Sequence, residues 1–218
     1  MHVVTISATY GAGGALVGPE VAERLGVPFV DRAIPVAVAD EMGITVDDAL
    51  SRDEQCGGWL SRLLTATAPL SAEWMIGPDH PRTALLPDSA VLRCTEGVLR
   101  KAVAGDGAVI LGRAAAIVLR DHPAALHVRL DGDPELRVRQ AMSILGIDER
   151  EARDAMSRND QARAAYVRHF YRTDPALPEH YDLVLDSTRI PPALCVELIV
   201  TAAKARHLNE AARQPETR

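Results

Sequence analysis

The sequence has few cysteines and no long apolar run, and each of these shortages argues against a class of protein. Aromatic residues are also few, at 4%, which we interpret as compositional bias. Its three cysteines, Cys56, Cys94 and Cys195, are widely separated and form no C-x-x-C pair. A scattered, odd set of cysteines argues against a disulfide framework and predicts reduced thiols. No apolar run approaches the roughly 20 residues that span a bilayer, and the first residues look like a strand rather than a signal peptide. We therefore expect a cytoplasmic protein without a membrane anchor.

Charge and size limit the partners and the number of domains. The 218 residues include 24 Lys and Arg against 30 Asp and Glu, which gives a net charge of -6. This balance argues against broad electrostatic binding to nucleic acid or to an anionic membrane. A hydrophobic content of 47% suits a soluble globular protein. We predict a single domain over 1–208 and a polar tail over 209–218, and the choice between a monomer and a homodimer stays open.

A glycine-rich turn near the first residue is the main functional signal. The apolar run Val3–Ala8 leads into glycines 11, 13 and 14, and the helical pattern Leu16–Leu25 follows and ends at Gly26. A strand, a glycine turn and a helix start together form a phosphate cradle, because backbone N–H groups converge at the positive end of the helix dipole. A turn that binds nothing and a Rossmann-type turn are the alternatives. The Rossmann interpretation lacks a clear acidic residue at the end of a second strand.

Further short apolar runs alternate with helical patterns along the chain. Continuous apolar runs of strand length are typical of a buried parallel sheet. The strand-like runs are Val27–Arg32, Ala108–Leu111, Ala124–Leu130 and Leu183–Asp186. The helical patterns are Ala33–Met42, Val46–Leu50, Ser89–Ala104, a helix beginning at Glu135, Asp148–Tyr171 and about Pro191–Ala205. The order predicts an α/β fold, a parallel sheet with helices on both faces, whose ligands gather where the strands end.

Two segments depart from this regular alternation. Residues 51–88 show no sustained period, and we predict an insertion over about 33–88. Residues 148–172 form a long polar helical region that is rich in arginine, which suits bidentate contacts to phosphate oxygens. A solvated surface helix of mixed charge is the structural alternative. We predict that this region is a lid over the glycine turn, where its arginines would stabilise charge on a transferring phosphoryl group.

Several segments, taken in order, resemble the nucleoside monophosphate kinases, and most closely the bacterial cytidylate kinase-like proteins. These segments are Ile6–Gly14, Pro28–Asp31, Val109–Arg113, Asp160–Tyr166 and His180–Ser187. The resemblance extends from Val3 to about Lys204, apart from the irregular insertion. It implies a P-loop kinase core with a monophosphate-binding insertion and an arginine-bearing lid.

The resemblance implies a role for individual residues. The donor's phosphates would lie on Gly11, Ala12, Gly13, Gly14, Ala15 and Leu16. The acceptor would be bound by Asp31, Arg113, Arg137, Asp160 and Arg163. The catalytic residues would be Arg158, Asp160 and Arg163, of which Asp160 and Arg163 match the D-x-x-R of the lid and Arg158 fits less well. The implied cofactors are ATP and Mg²⁺, the partners are small-molecule nucleotides, and no protein ligand to a metal is assigned.

Three of these assignments have structural alternatives. Arg113 can pair with a helix C-terminus, Arg137 can be an ordinary arginine on a helix surface, and Asp31 can cap the following helix.

The glycine turn also departs from the P-loop pattern G-x-x-x-x-G-K-[ST]. Ala8 stands at the first glycine, Gly14 at the lysine and Ala15 at the hydroxyl residue. Losing a phosphate-clamping charge in a dry site costs on the order of 3 kcal/mol. True cytidylate kinases also have Asp where this chain has Ala114, so cytosine specificity is in doubt. Two main hypotheses remain: an ATP-dependent phosphotransferase, and a nucleotide- or phosphate-binding protein on the same scaffold that performs no catalysis. A purely structural oligomer is a more distant third.

Overall fold

The computed structural model describes residues 1–30, 96–97, 99–112 and 114–213, without the side chains of 162 and 209–213. Its strands are β1 (His2–Ala8), β2 (Phe29–Val30), β3 (Gly107–Leu111), β4 (Ala125–Asp131) and β5 (Leu183–Asp186). Its helices are α1 (Gly14–Leu25), α2 (Ala115–Val118), α3 (Pro134–Leu145), α4 (Glu149–Tyr171) and α5 (Pro192–Arg213), with a 3-10 turn at Pro178–His180. The predicted insertion over about 33–88 lies outside the described residues.

The five strands form one parallel sheet in the order β2-β3-β1-β4-β5. β1 lies at the centre, and its residues from Val3 to Ile6 are buried. This is why the strand is mostly apolar, since helices cover both faces of a parallel sheet. Every strand-like run of the sequence corresponds to one of these strands, and the predicted α/β fold is confirmed.

The two faces of the sheet carry separate cores. On one face, α1 and α5 pack against the sheet through residues such as Val17 and Ile199. On the other face, Leu99, Val118 and Leu119 pack against the sheet. Alternate residues along each strand point to opposite faces, so neighbours in one strand belong to different cores. Within the described residues, no helix is both long and apolar enough to cross a membrane.

Local signals in the sequence fix where the helices begin and end. Asp148 caps α4 in a capping box with Glu151, and Asp133 caps α3 directly before Pro134. α4 therefore begins where the pattern predicted. α5 differs, because it continues to Arg213 and so passes the predicted end at Ala205.

Candidate functional site

The glycine-rich turn has the backbone of an anion cradle. Gly11 and Gly13 adopt positive φ angles of 78° and 72°, and Gly13 is the N-cap of α1. The N–H groups of Leu16 and Val17 donate to the Gly13 carbonyl at 2.9 and 3.0 Å, which begins the helix. Among the described residues, no acceptor meets the N–H groups of Gly13, Gly14 and Ala15. Donors of this kind at a helix N-terminus can bind phosphate oxygens.

Two of the glycines lie directly against α3, and the close approach of its backbone requires a glycine at Gly11. A Cβ at Gly11 would lie 2.3 Å from the carbonyl oxygen of Arg137, and one at Gly13 would lie 2.9 Å from Gln140 Nε2. Both distances are below any normal carbon contact, but only the first is to backbone, so a side chain at Gly11 would displace α3, whereas one at Gly13 would push aside the end of the Gln140 side chain. α3 therefore covers one side of the loop, and these glycines serve packing as well as backbone conformation.

The lysine position of the P-loop pattern is enclosed by two apolar side chains. A Cβ at Gly14 would lie 2.6 Å from the Ala8 Cβ and 3.0 Å from Leu111 Cδ1. Ala8 itself stands where the pattern has its first glycine. The two departures from the pattern are therefore in contact, and the methyl group of Ala8 occupies space that a side chain at position 14 would need.

The predicted lid residues contact the loop directly. Asp160 Oδ1 accepts a hydrogen bond from the Tyr10 backbone N–H at 2.9 Å, and Asp160 Oδ2 accepts one from Arg137 Nη1 at 2.6 Å. Arg137 Nη1 also donates to the Tyr10 carbonyl at 3.2 Å. Arg163 Nη1 donates to the Ala8 carbonyl at 2.5 Å. The structure thus brings three sequence-predicted residues together at the first half of the glycine turn.

Tyr10 anchors the loop in a small core between α3 and α4. Its side chain is buried with Val138, Ala141 and Ala152. Burial raises the pKa of the Tyr10 hydroxyl above its usual value, although the charges of Arg158 and Arg163 act in the opposite direction. α4 therefore packs through apolar contacts, despite its polar sequence, and a purely solvated surface helix is excluded.

A second polar network fixes the loop from the end of β4. Asp131 Oδ1 accepts hydrogen bonds from Thr9 Oγ1 and from the Gly132 N–H, each at 2.9 Å, and Asp131 Oδ2 accepts from Arg129 Nη2 at 2.7 Å. Burial would raise the pKa of Asp131, but the hydrogen bonds from Arg129 and Gly132 and the charge of Arg129 hold it below its usual value. Sequence reasoning missed Arg129, although its spacing from Asp131 places both residues on one face of a strand.

β5 holds the second half of the loop. Ser187 directly follows this strand, and its Oγ donates to the Ala12 carbonyl at 2.8 Å. Its side chain is buried, and the sequence pattern of the loop gave no signal for the contact. Thr9 and Ala12 are therefore each tied to a different strand end.

The remaining predicted residues differ in how the structure places them. Arg137 is only 8% exposed, so it is not an ordinary surface arginine. Arg158 and Leu16 are exposed. Asp31 and Arg113 lie outside the described residues, so their predicted roles at the acceptor remain predictions.

Comparison with known proteins identifies the family. Residues 3–189 match the sequence model of the cytidylate kinase-like family. The chain belongs to this family. The uronate isomerase of Corynebacterium glutamicum is 30% identical over 95 residues, which are 44% of this chain and 18% of that protein. The chain therefore spans less than a fifth of the length of that curated relative.

Solved structures share the fold at low sequence identity. An uncharacterized protein from Eubacterium ventriosum is 17% identical with a TM-score of 0.63, over 94% of this chain and 99% of that one. A gluconokinase from Sinorhizobium meliloti is 14% identical with a TM-score of 0.53, over 98% and 97%. A shikimate kinase from Acinetobacter baumannii, solved in complex with shikimate, is 14% identical with a TM-score of 0.50, over 95% and 96%. The family member therefore has the parallel-sheet fold of P-loop kinases, and these likenesses concern the fold alone.

Proposed function

We propose that this member of the cytidylate kinase-like family is an ATP-dependent phosphotransferase. It would move a phosphoryl group to a nucleoside monophosphate or a similar small acceptor. One observation supports this proposal above the others: Arg163 donates to the Ala8 carbonyl at the edge of a loop whose last three N–H groups, from Gly13 to Ala15, meet no acceptor among the described residues. A cation beside an anion cradle is the arrangement that phosphoryl transfer needs.

Each group of residues has a distinct part in the proposed reaction. The N–H groups of Gly13, Gly14 and Ala15 would hold the donor's phosphate oxygens. Arg163, with Arg158 nearby, would neutralise charge that develops on the transferring phosphoryl group. The acceptor would lie toward Asp31 and Arg113, as the resemblance implies. Catalysis would consist mainly of positioning and charge neutralisation, because phosphoryl transfer requires little covalent chemistry from the protein.

The loop fits the phosphates of ATP better than it fits Mg²⁺. Ala15 provides no hydroxyl ligand, and Asp131 is already engaged by Arg129, Thr9 and the Gly132 N–H. In the described part of the chain, no group of three or more His, Cys, Asp or Glu side chains could hold a metal ion. The described residues thus give Mg²⁺ no site of its own at this loop, and a magnesium ion that accompanies the nucleotide would depend on phosphate oxygens for its ligands.

A second candidate function is nucleotide or phosphate binding without catalysis. The contact geometry at Gly14 favours it, because Ala8 and Leu111 leave no room there for the lysine that P-loop kinases use. Such a protein would act as a sensor or as a partner-binding module on a kinase scaffold. The two candidates differ in whether bound nucleotide is turned over.

Calorimetric titration tests the proposal. The purified chain would be titrated with a non-hydrolysable ATP analogue and Mg²⁺, with and without CMP, and then assayed for ATP turnover with a panel of nucleoside monophosphates. We expect micromolar binding of the analogue that tightens when CMP is present, followed by turnover with at least one acceptor. Binding without turnover of any acceptor would favour the second candidate. No binding by folded protein would overturn both candidates.

A further inference from the structure

We propose that Asp160 is a positioning residue for the phosphate loop, held by Arg137, rather than a residue that contacts the acceptor. In this arrangement the α3–α4 helix pair sets the conformation of the loop through the peptide groups on either side of Tyr10. The inference rests on the proposed function only in identifying the loop as the donor's phosphate site. The contacts that support the inference lie within the protein and involve no ligand.

Both carboxylate oxygens of Asp160 are already engaged. Oδ1 accepts a hydrogen bond from the Tyr10 N–H at 2.9 Å, and Oδ2 accepts one from Arg137 Nη1 at 2.6 Å. These bonds come from two different elements, the loop and α3, and together they fix the orientation of the carboxylate. An acceptor that used Asp160 as a contact would have to compete with bonds that are strong because they involve charged groups.

Arg137 also contacts the backbone of Tyr10, at its carbonyl group. The guanidinium donates to the Tyr10 carbonyl at 3.2 Å while it pairs with Asp160, so both backbone groups of Tyr10 are held. Arg137 is only 8% exposed, and its Nε has no hydrogen-bond partner among the described residues. Without Asp160 this buried arginine would lose its close carboxylate partner and keep only the longer contact of its Nε with Asp131 Oδ1 at 3.9 Å, so its position depends on Asp160.

The neighbouring contacts extend this restraint along the first half of the loop. The Tyr10 side chain is buried between α3 and α4, and Arg163 holds the Ala8 carbonyl from α4. Gly11 follows with a positive φ angle, and it packs so closely on α3 that a Cβ there would clash with the Arg137 carbonyl. Ala8, Tyr10 and Gly11 are therefore held by α3 and α4, while Thr9 between them is bonded to β4. The N–H groups of Gly13 to Ala15 follow directly, and their direction depends on this restraint.

Substitutions at Asp160 separate a positioning role from an acceptor contact. Asp160→Ala removes both hydrogen bonds, whereas Asp160→Asn has nearly the same shape and keeps an acceptor oxygen for the Tyr10 N–H but loses the charge that Arg137 pairs with. Asp154→Asn is the matched control, since it makes the same chemical change at an exposed position of the same helix. Two measurements are needed: hydrogen exchange of the loop amides, and affinity for the ATP analogue and for CMP, each titrated alone.

The positioning role predicts a specific pattern. In Asp160→Ala, exchange of the Tyr10 amide should accelerate roughly ten- to a hundredfold, the scale of losing a hydrogen bond to a charged group, while the amides of α1 from Gly18 to Leu25 stay protected. Affinity for the ATP analogue should fall by a similar factor, and affinity for CMP alone should not change. Asp160→Asn should show an intermediate loss, and Asp154→Asn should match the unsubstituted chain.

Other results would overturn the inference. Unchanged exchange at Tyr10 in Asp160→Ala would show that the bond does not hold the loop. Lost CMP affinity with full affinity for the ATP analogue would assign Asp160 to the acceptor. If the unsubstituted chain bound neither nucleotide, the proposed function would fail, and exchange at Tyr10 would still decide whether Asp160 positions the loop.

Discussion

Lysine at position 14 would improve the loop only if Ala8 became glycine as well. Gly14 stands at the lysine position, and its φ lies outside the left-handed region, so the backbone accepts a side chain there. The obstacle is steric, because the new Cβ would lie 2.6 Å from the Ala8 Cβ and 3.0 Å from Leu111 Cδ1. Carbon atoms in contact normally lie about 3.5–4.0 Å apart. We expect Gly14→Lys alone to destabilise the fold by about 1–3 kcal/mol, the usual cost of overpacking.

The second substitution removes the main obstacle. Ala8→Gly deletes the methyl group that the new Cβ would strike, at a cost of roughly 0.5–1 kcal/mol for glycine in a strand. Leu111 then has to move by only a few tenths of an ångström at a flexible side-chain end. A lysine ammonium beside the phosphates should strengthen binding of the ATP analogue by about 3 kcal/mol at most, or roughly a hundredfold.

A double-mutant cycle measures this coupling. Urea unfolding and calorimetric titration would be applied to the unsubstituted chain, both single variants and Ala8→Gly/Gly14→Lys. Thr201→Lys adds the same charge on an exposed position of α5 and controls for net charge. We expect the double variant to lose less unfolding free energy than the two single variants lose together. It should also bind the analogue at least tenfold more tightly than the unsubstituted chain. Additive stabilities would show that positions 8 and 14 do not meet as described, and no gain in affinity over the unsubstituted chain would show that the donor's phosphates lie elsewhere.

Three further outcomes follow from the contacts of the site and the core. Gly11→Ala should lower the free energy of unfolding more than Gly146→Ala, since both glycines have positive φ but only Gly11 faces a clash, and equal losses in urea unfolding would contradict this. Arg163→Ala should lower turnover far more than stability, and equal loss of both would make it a packing residue. Burial lowers the pKa of His127 in the folded protein below 6.5, its ordinary value in the unfolded chain. The part of the unfolding free energy that depends on neutral His127 should therefore be intact above pH 6.5 and be lost as the pH falls through the lower pKa of the folded state. Urea unfolding from pH 7.5 to 5 measures this loss, and His127→Asn should reduce the pH dependence.

The sequence predicted the elements because each carries a local signal. β4 reads as an apolar run since both of its faces are covered, and α4 begins at a capping box formed by Asp148 and Glu151. The end of α5 was predicted too early. Polar residues from 209 onward indicated a tail, but alanine, glutamate and arginine are strong helix formers, and the helix continues to Arg213.

The sequence could assign residues to the site but not their contacts. Tyr10 and Asp160 are separated by 150 positions, and Ala8 and Arg163 by 155, so no local pattern records that they meet. The D-x-x-R motif pointed to Asp160 and Arg163 through the family resemblance, which says nothing about the loop backbone. Arg137 shows the same limit, because a helix pattern cannot reveal that one arginine of a polar helix is buried.

The contacts divide the loop residues into two sets with different consequences for function. One set, which includes Tyr10, Gly11, Arg137 and Asp160, determines the path of the backbone, and every member is engaged within the protein. The other set would touch the nucleotide, and there the loop offers amides but no lysine and no hydroxyl. An anion cradle made of amides can bind phosphate without stabilising the extra charge of a transition state. In the proposed phosphotransferase, catalysis would therefore depend on the arginines of α4, with Arg163 foremost among them, and binding and turnover should respond to different substitutions.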